Sequence, residues 1–310
     1  MSSPLTLITD HPGEKSGIRL FMKRDDLLHP AVQGNKWRKL EPLVKEIQQE
    51  KHIGILTYGG PFSNHIHAVA SAGQHFGFPT VGIIRGSSAD LSNPTLVHAK
   101  GCGMNMFPVT KKDYDAGNSS AVIQEILSKH PGFFHLPEGG ATQDAVKNCA
   151  AIASEIVEQT PGISASQRFV AVPAGTGSTA AGIIGGLGHK GATVVFPAAD
   201  YGVEEQSVRT VVESTFGKTC PPFHFQTAYT FGGFAAFRPE LIELSRGFLS
   251  RNGILLDPIY TSKMMWGLFD LMQHGYFPND AVVTAVHTGG LQGWDGFKKR
   301  FGVDIHESLA

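Results

Sequence analysis

A chain of 310 residues is longer than one hydrophobic core usually serves, which predicts two lobes or one large α/β unit. Its 26 basic residues almost balance 27 acidic ones and no long basic run occurs, so a small molecule is a better partner than nucleic acid or an anionic membrane surface. No stretch approaches the roughly 18 uninterrupted apolar residues of a membrane span, and Met1-Ser2-Ser3-Pro4-Leu5 does not open a secretory signal, so a soluble, cytoplasmic protein is expected.

In chain order, Ile18–Lys23 reads as a strand. The run Gln33-Gly34-Asn35-Lys36-Trp37-Arg38-Lys39-Leu40 leads from a loop into a helix over Lys36–Glu50, with Trp37, Leu40, Val44 and Ile47 on one stripe. Pro42 is tolerable there only as an early-turn or kink position. A strand, Ile53–Tyr58, then meets the turn Gly59-Gly60-Pro61-Phe62, with Ser63 as N-cap of a helix Asn64–Phe76. Strands follow at Thr80–Ile84, Met104–Pro108 and Phe133–Leu136, with helices at Ser119–Ser128 and Ala145–Gln159. After a linker-like stretch, Gln159–Ser166, come strands Phe169–Pro173, Thr193–Phe196 and Ala281–His287. Apolar strands alternating with helices predict parallel sheets covered on both faces, a doubly wound α/β fold.

Two polar turns sit at the ends of these strands, where open α/β sheets bind ligands, and a loop entering a helix adds a third polar group. Gly175-Thr176-Gly177-Ser178-Thr179 joins an apolar strand to a small-residue helix; its glycines permit a tight turn, and its amides and hydroxyls suit a phosphate. Ser63 and Asn64 offer a second polar cluster, and Lys36 offers an amine. Each has a plain structural reading: a capped βα turn, an N-cap, a solvated helix lysine. Together, an amine, a phosphate anchor and hydroxyl donors are the parts that pyridoxal phosphate requires. Gly175 to Ala180 also matches G-x-G-x-x-G/A, with Asp200 placed to meet a ribose, so a nicotinamide-dependent oxidoreductase is the rival reading. Cys102, Cys149 and Cys220 are scattered, which fits a reduced compartment. His65 and His67 would diverge on a helix, and no metal site is expected.

The ordered set Lys23-Arg24-Asp25-Asp26, Gly34-Asn35-Lys36-Trp37-Arg38-Lys39-Leu40, Ser63-Asn64, Leu136-Pro137-Glu138-Gly139-Gly140, Gly175–Gly182, Leu256-Asp257-Pro258-Ile259-Tyr260-Thr261 and His287-Thr288-Gly289-Gly290 covers nearly the whole chain. It resembles the 1-aminocyclopropane-1-carboxylate deaminase and D-cysteine desulfhydrase family of pyridoxal phosphate enzymes, within the group shaped like the tryptophan synthase β chain (fold type II). The resemblance implies that Lys36 condenses with the cofactor's aldehyde, that Asn64 meets its phenolic oxygen, and that Gly175, Thr176, Gly177, Ser178 and Thr179 hold its phosphate. It implies a large lobe of residues 1–49 and 157–310, a small lobe of residues 50–156, and a homodimer. Ser63 would orient a substrate carboxylate or assist proton transfer, Tyr260 would be an acid/base or orienting phenol, and Thr261 would face the pyridine nitrogen.

Thr261 is the threonine of the desulfhydrase branch, where the deaminase branch has glutamate. A neutral hydroxyl supports a protonated pyridinium less than a carboxylate does, which suits loss of a good leaving group better than opening of a cyclopropane. The expected reaction is therefore an α,β-elimination, with D-cysteine giving pyruvate, ammonia and sulfide; 1-aminocyclopropane-1-carboxylate deamination is the alternative, and a non-catalytic cofactor-binding paralogue is another. The chain departs from the resemblance in two places. Gly233 or Phe234 stands where the family has a second active-site tyrosine, so either Tyr229 replaces it from a shifted position or the site handles another substrate, and Ser262 stands where glycine is usual.

Overall fold

The computed structural model describes residues 2–307. The strands, in chain order, are β1 (Leu5–Ile8), β2 (Arg19–Lys23), β3 (Ile55–Gly59), β4 (Thr80–Arg85), β5 (Asn105–Val109), β6 (Phe134–Leu136), β7 (Arg168–Ala174), β8 (Ala192–Pro197), β9 (Phe223–Phe225) and β10 (Val282–Val286). They form two sheets, one ordered β1-β2-β10-β7-β8-β9 and the other β5-β4-β3-β6. All pairings are parallel except β1 with β2, where Leu5 stands opposite Lys23. The eight expected strands are present within two residues at each end, and the expected mostly parallel α/β fold is the observed one. The additional strands, β1 and β9, lie at the two edges of the larger sheet, where pairing with a neighbour rather than a long apolar run creates them.

The central strands are apolar because both faces are covered. On β7, Ala171 joins a core with Leu20, Met22, Met264 and Leu268, while Val170 and Val172 face Val146, Ile183 and Ile184 on the other side. The smaller sheet is covered on one face by α1 (Asn35–Gln48) and α2 (Asn64–Phe76), whose Leu40, Val44, Ile66 and Val69 share one cluster. Its other face packs Leu56, Val81 and Ile83 on Ile123 and Ile126.

Local signals explain where α2 starts and stops. Ser63 Oγ accepts the amides of His65 and Ile66 at 3.2 and 3.3 Å, and Gly77 ends the helix at φ 74°. In α1, Pro42 lies in the interior rather than in the first turn, so the Arg38 carbonyl lacks its usual donor four residues on. Buried contacts of Arg38, described below, keep that helix in place.

Candidate functional site

The Gly34–Leu40 run works because consecutive side chains leave α1 in different directions. Gly34 has φ 65°, and a Cβ there would lie 1.9 Å from the Thr288 carbonyl oxygen, so only glycine lets α1 begin against the Thr288–Gly290 turn. Asn35 Nδ2 donates to Thr179 Oγ1 at 2.8 Å, tying α1 to the Gly175–Thr179 turn. Trp37 stacks on His29 and Phe76, at 4.2 and 5.5 Å between ring centres. Arg38 binds Asp25 and Glu155, with Nε to Asp25 Oδ2 at 2.6 Å and Nη1 to Glu155 Oε1 at 2.7 Å. Lys23 Nζ completes this network at 2.6 Å from Glu155 Oε2.

Lys36 and Lys39 take the opposite face, toward a cleft of 1140 Å³. Both line it, together with Asn35, Ser63, Asn64, Gly175, Thr176, Gly177, Thr179 and Tyr260. Lys39 Nζ donates to the Gly139 carbonyl at 3.0 Å and to Ser178 Oγ at 2.7 Å. Lys36 Nζ lies 3.5 Å from the same Gly139 oxygen. Among the described residues neither amine has a carboxylate partner, and Glu138 is the one acidic residue lining the cleft. Burial, with the charge of Lys39 added, holds the Lys36 ammonium well below the ordinary lysine value. Burial lowers Lys39 as well.

The turn beside them has the form of an anion cradle. The helix Ser178–Leu187 follows Gly177 at φ 81° without a side-chain cap, and its first main-chain bond runs from the Ala181 amide to the Gly177 carbonyl at 2.8 Å. The amides of Ser178, Thr179 and Ala180 are therefore left without intrahelical partners at the positive end of the helix dipole. A Cβ on Gly175 would come within 3.1 Å of the Tyr260 hydroxyl, so a larger residue would fill the space between turn and phenol. Free amides, the Thr176 hydroxyl and an unpaired lysine suit a phosphate, and a second amine with a depressed pKa suits an aldehyde. The residues present therefore fit pyridoxal phosphate.

Two further elements face the cleft. Asn64 opens α2, and its Oδ1 accepts Gln292 Nε2 at 2.8 Å, which leaves its amide nitrogen beside Gly290. The Ser63 oxygen accepts two amides as N-cap, so its own proton is free to be donated into the cleft. Tyr260 is half-buried, and burial next to Asp257 raises its pKa, which keeps the phenol protonated.

Thr261 is not brought to this cleft. It is fully buried; its hydroxyl accepts the Asp257 amide at 2.7 Å and donates to Asp257 Oδ2 at 2.6 Å. Asp257 in turn receives the amides of Ile259, Tyr260 and Thr261, so it holds the first amide of the helix Thr261–Gln273 and orders the turn that presents Tyr260. Ser262 donates to the Asp257 carbonyl at 2.7 Å and meets Ser245, away from the cleft. Nor does Tyr229 replace a second phenol: its hydroxyl donates to Asp270 at 2.7 Å and its ring packs on Phe196. Phe234 and Tyr201 line the cleft instead, their rings 5.7 Å apart. Behind this wall the buried Lys263 ammonium donates to the carbonyls of Ala198 and Thr230, each at 2.8 Å, and of Gly233. Asp200, which a dinucleotide would need for its ribose, accepts the Thr230 hydroxyl.

Lys39 and His65 were not singled out from the sequence as site residues. A signal existed for Lys39, three positions beyond Lys36 and so on the same helix face. Gln292 carried none, because only the tertiary fold brings it to Asn64. Among the described residues no helix is long and apolar enough to cross a membrane, and no group of three or more His, Cys, Asp or Glu could hold a metal ion.

Known proteins similar to this chain bear on its family and fold. The chain is 28% identical over 291 residues to a putative 1-aminocyclopropane-1-carboxylate deaminase of Pyrococcus furiosus, covering 89% of this chain and 86% of that one. It is 26% identical over 299 residues to a D-cysteine desulfhydrase of Salmonella paratyphi A, covering 92% and 90%. The fold is similar to the crystal structure of an ACC deaminase homologue, with a TM-score of 0.79 at 24% identity, covering 97% of this chain and 93% of that one. Residues 4–289 match the family model described as pyridoxal-phosphate dependent enzyme, and the chain belongs to that family.

Proposed function

We propose that this enzyme carries out an α,β-elimination on a small β-substituted amino acid, with D-cysteine giving pyruvate, ammonia and sulfide. The observation that carries this reading is the unpaired lysine couple, Lys36 and Lys39, beside an uncapped phosphate turn in a cleft whose lining, among the described residues, contains a single carboxylate, Glu138. In the proposal, Lys36 holds the cofactor, the Gly175–Thr179 turn and Lys39 hold its phosphate, and Asn64 meets its phenolic oxygen. Residues 50–156 would form the small lobe, and residues 1–49 with 157–310 the large one.

When bound, pyridoxal phosphate supplies an electron sink for the substrate's Cα. The chain's own groups do the rest. Lys36, whose depressed pKa gives it a neutral population, takes the Cα proton. The Ser63 hydroxyl donates to the substrate carboxylate and fixes which Cα bond is presented. Tyr260 keeps its proton and orients the substrate from the side of Gly175. Cleavage of Cα–H and Cβ–S releases thiolate, and water then converts the remaining three-carbon fragment to pyruvate and ammonia.

The relatives named as a desulfhydrase and as a putative deaminase support the two substrates to be compared. Thiolate leaves readily, whereas a cyclopropane bond has no such leaving group. Thr261, buried against Asp257 and off the cleft, offers no carboxylate to the cofactor's ring, and the weaker electron sink that results favours the thiolate reaction. A homodimer in the cytoplasm is part of the same proposal. The decisive assay offers D-cysteine and 1-aminocyclopropane-1-carboxylate to the purified protein: sulfide, pyruvate and ammonia are expected from the first. Release of 2-oxobutanoate from the second without sulfide from the first would overturn the substrate. Borohydride reduction followed by mass analysis is expected to leave cofactor on the Lys36 peptide, and Lys36→Ala to lower turnover on the order of 10²–10⁴-fold.

A further inference from the structure

The cleft is longer than the reading above uses. Its 1140 Å³ exceeds the roughly 300–1,000 Å³ that buries most of a drug-sized ligand, whereas a cofactor and a three-carbon amino acid need only the end bounded by Lys36, Asn64 and the Gly175–Thr179 turn. The rest is a trough between two helices that start at one hydrogen bond, Gln292 Nε2 to Asn64 Oδ1. From Asn64, α2 lines it with His67, Ala68, Ser71 and His75, the recurrence of one helix face, over about 16 Å at about 1.5 Å per residue. The helix Gly293–Phe301 lines it with Gly296, Phe297, Arg300 and Phe301, over about 12 Å. The helix Pro94–Gly101 packs on both and adds Thr95 and His98.

These walls are pinned, and they carry unspent groups. Ser71 Oγ donates to the His67 carbonyl at 2.9 Å and so accepts His98 Nε2 at 2.8 Å. The His98 ring stacks on His67, with centres 3.8 Å apart and planes 9° apart. His65 and His67 diverge on α2, as their spacing requires: His65 meets Thr57 at 2.8 Å, whereas no hydrogen bond reaches the His67 ring among the described residues. Burial, and then His98, hold His67 at about 4, and burial lowers His98, so the stacked pair is uncharged near neutral pH. Lys299 donates to Asp90 and Ser92, just before the helix Pro94–Gly101, at 2.9 and 2.7 Å, which fastens the helix bearing Arg300. Arg300 is exposed at the rim; its guanidinium lies 5.0 Å from the Phe301 ring and meets no carboxylate among the described residues. The trough thus offers flat, uncharged walls along its length and an unpaired cation at its outer end.

We propose that the trough is a subsite for the leaving group: the preferred substrate is a cysteine thioether whose sulfur substituent lies along α2 over the His67 ring and ends in a carboxylate at Arg300. This rests on the elimination reading and alters only what the sulfur carries. In that reading the substrate sits at Ser63 and Asn64, where the trough begins. Cα–H and Cβ–S break, the Cβ–S electron pair leaves on sulfur as a thiolate that takes a proton, and water gives pyruvate and ammonia. A thiol replaces hydrogen sulfide, with no oxidant or reductant required. An anionic tail suits a cleft lined by Lys36, Lys39, Arg85 and Arg300 against one carboxylate, Glu138, among the described residues.

The test is a series of S-substituted D-cysteines, carboxymethyl, carboxypropyl and carboxypentyl, assayed with the holoenzyme for pyruvate, with S-pentyl as the uncharged control and D-cysteine as the shortest member. The expected result is a kcat/KM that rises along the series, with carboxypentyl exceeding S-pentyl about tenfold or more, the worth of a hydrogen bond to a charged group. Arg300→Met, at an exposed position, should lower that charged-to-uncharged ratio about tenfold. Turnover of D-cysteine with the thioethers inert, rates that fall with length, or equal rates for carboxypentyl and S-pentyl overturn the proposal, and the series needs no variant to fold. Calorimetry gives a second readout on cofactor-free protein saturated with inorganic phosphate, so that the Gly175–Thr179 turn is filled. The carboxypentyl leaving group, 6-mercaptohexanoate, should bind there, and about tenfold more weakly in Arg300→Met. Binding that is absent, or indifferent to that substitution, overturns the subsite. If neither D-cysteine nor any thioether yields pyruvate, the elimination reading fails instead, and the calorimetry still judges the trough.

Discussion

Arg38 and Lys39 are consecutive buried cations on one helix, and the fold treats them in opposite ways. Arg38 meets two carboxylates, Asp25 and Glu155, through charged hydrogen bonds at 2.6–2.9 Å. Lys39 meets a carbonyl and a serine hydroxyl and has no opposing charge among the described residues. A buried charge that is paired serves the structure, whereas one left unpaired is a place kept for an anion from outside. Helix α1 thus has a face that anchors it to the Asp25 turn after β2 and to the helix Gln143–Gln159, and a face that waits for a ligand.

Substitutions on the two faces therefore fail differently. Arg38→Met strands Asp25 without its cation and leaves Glu155 with Lys23 alone, and should cost about 3–5 kcal/mol of stability, read from denaturant unfolding of cofactor-free protein. Lys39→Met should leave cofactor-free stability near the parent value. It should weaken cofactor binding by about 1.5–3 kcal/mol, the range for a hydrogen bond to a charged group, read by fluorescence titration. A Lys39→Met protein that unfolds easily but binds cofactor normally would reverse the assignment of faces. The smallest effect is an acid one. Burial pushes the Glu155 carboxyl up, but hydrogen bonds from Arg38 and Lys23 outweigh it and hold it at about 2, below its ordinary 4.5. Since the folded-state value is the lower one, this stabilisation is complete above pH 4.5 and is lost as pH falls toward 2. Glu155→Gln should flatten that part of the stability profile, measured by urea unfolding at successive pH values.

Most of the fold was legible because buried parallel strands are short, apolar and β-branched, as at Phe169–Pro173 and Thr193–Phe196. The edge strands β1 and β9 were not, since their identity depends on a neighbour distant in sequence. In the site, Ser63, Asn64 and Gly175–Thr179 stood out by residue type and by position after a strand, and Lys36 by its place where a loop enters a helix. Thr261 misled because sequence order beside Tyr260 says nothing of rotation: the hydroxyl turns back onto Asp257 four residues earlier. Tyr229 misled for the same reason, its partner Asp270 lying one helix away. His65 was hidden because its place in the cleft is a property of packing alone.

The cage around Lys263 has a consequence that can be counted in protons. One nitrogen closes three chain loops, reaching Gly233, Thr230 and Ala198 across 30, 33 and 65 residues. Three carbonyls need three N–H groups, which only the ammonium has. Burial lowers this lysine's pKa to about 8. Above that pH the amine keeps two protons for three acceptors, so one strut of the wall bearing Phe234 and Tyr201 is released. The aromatic side of the cleft is therefore fastened by a joint whose valence, unlike that of a covalent cross-link, falls from three to two in mild alkali.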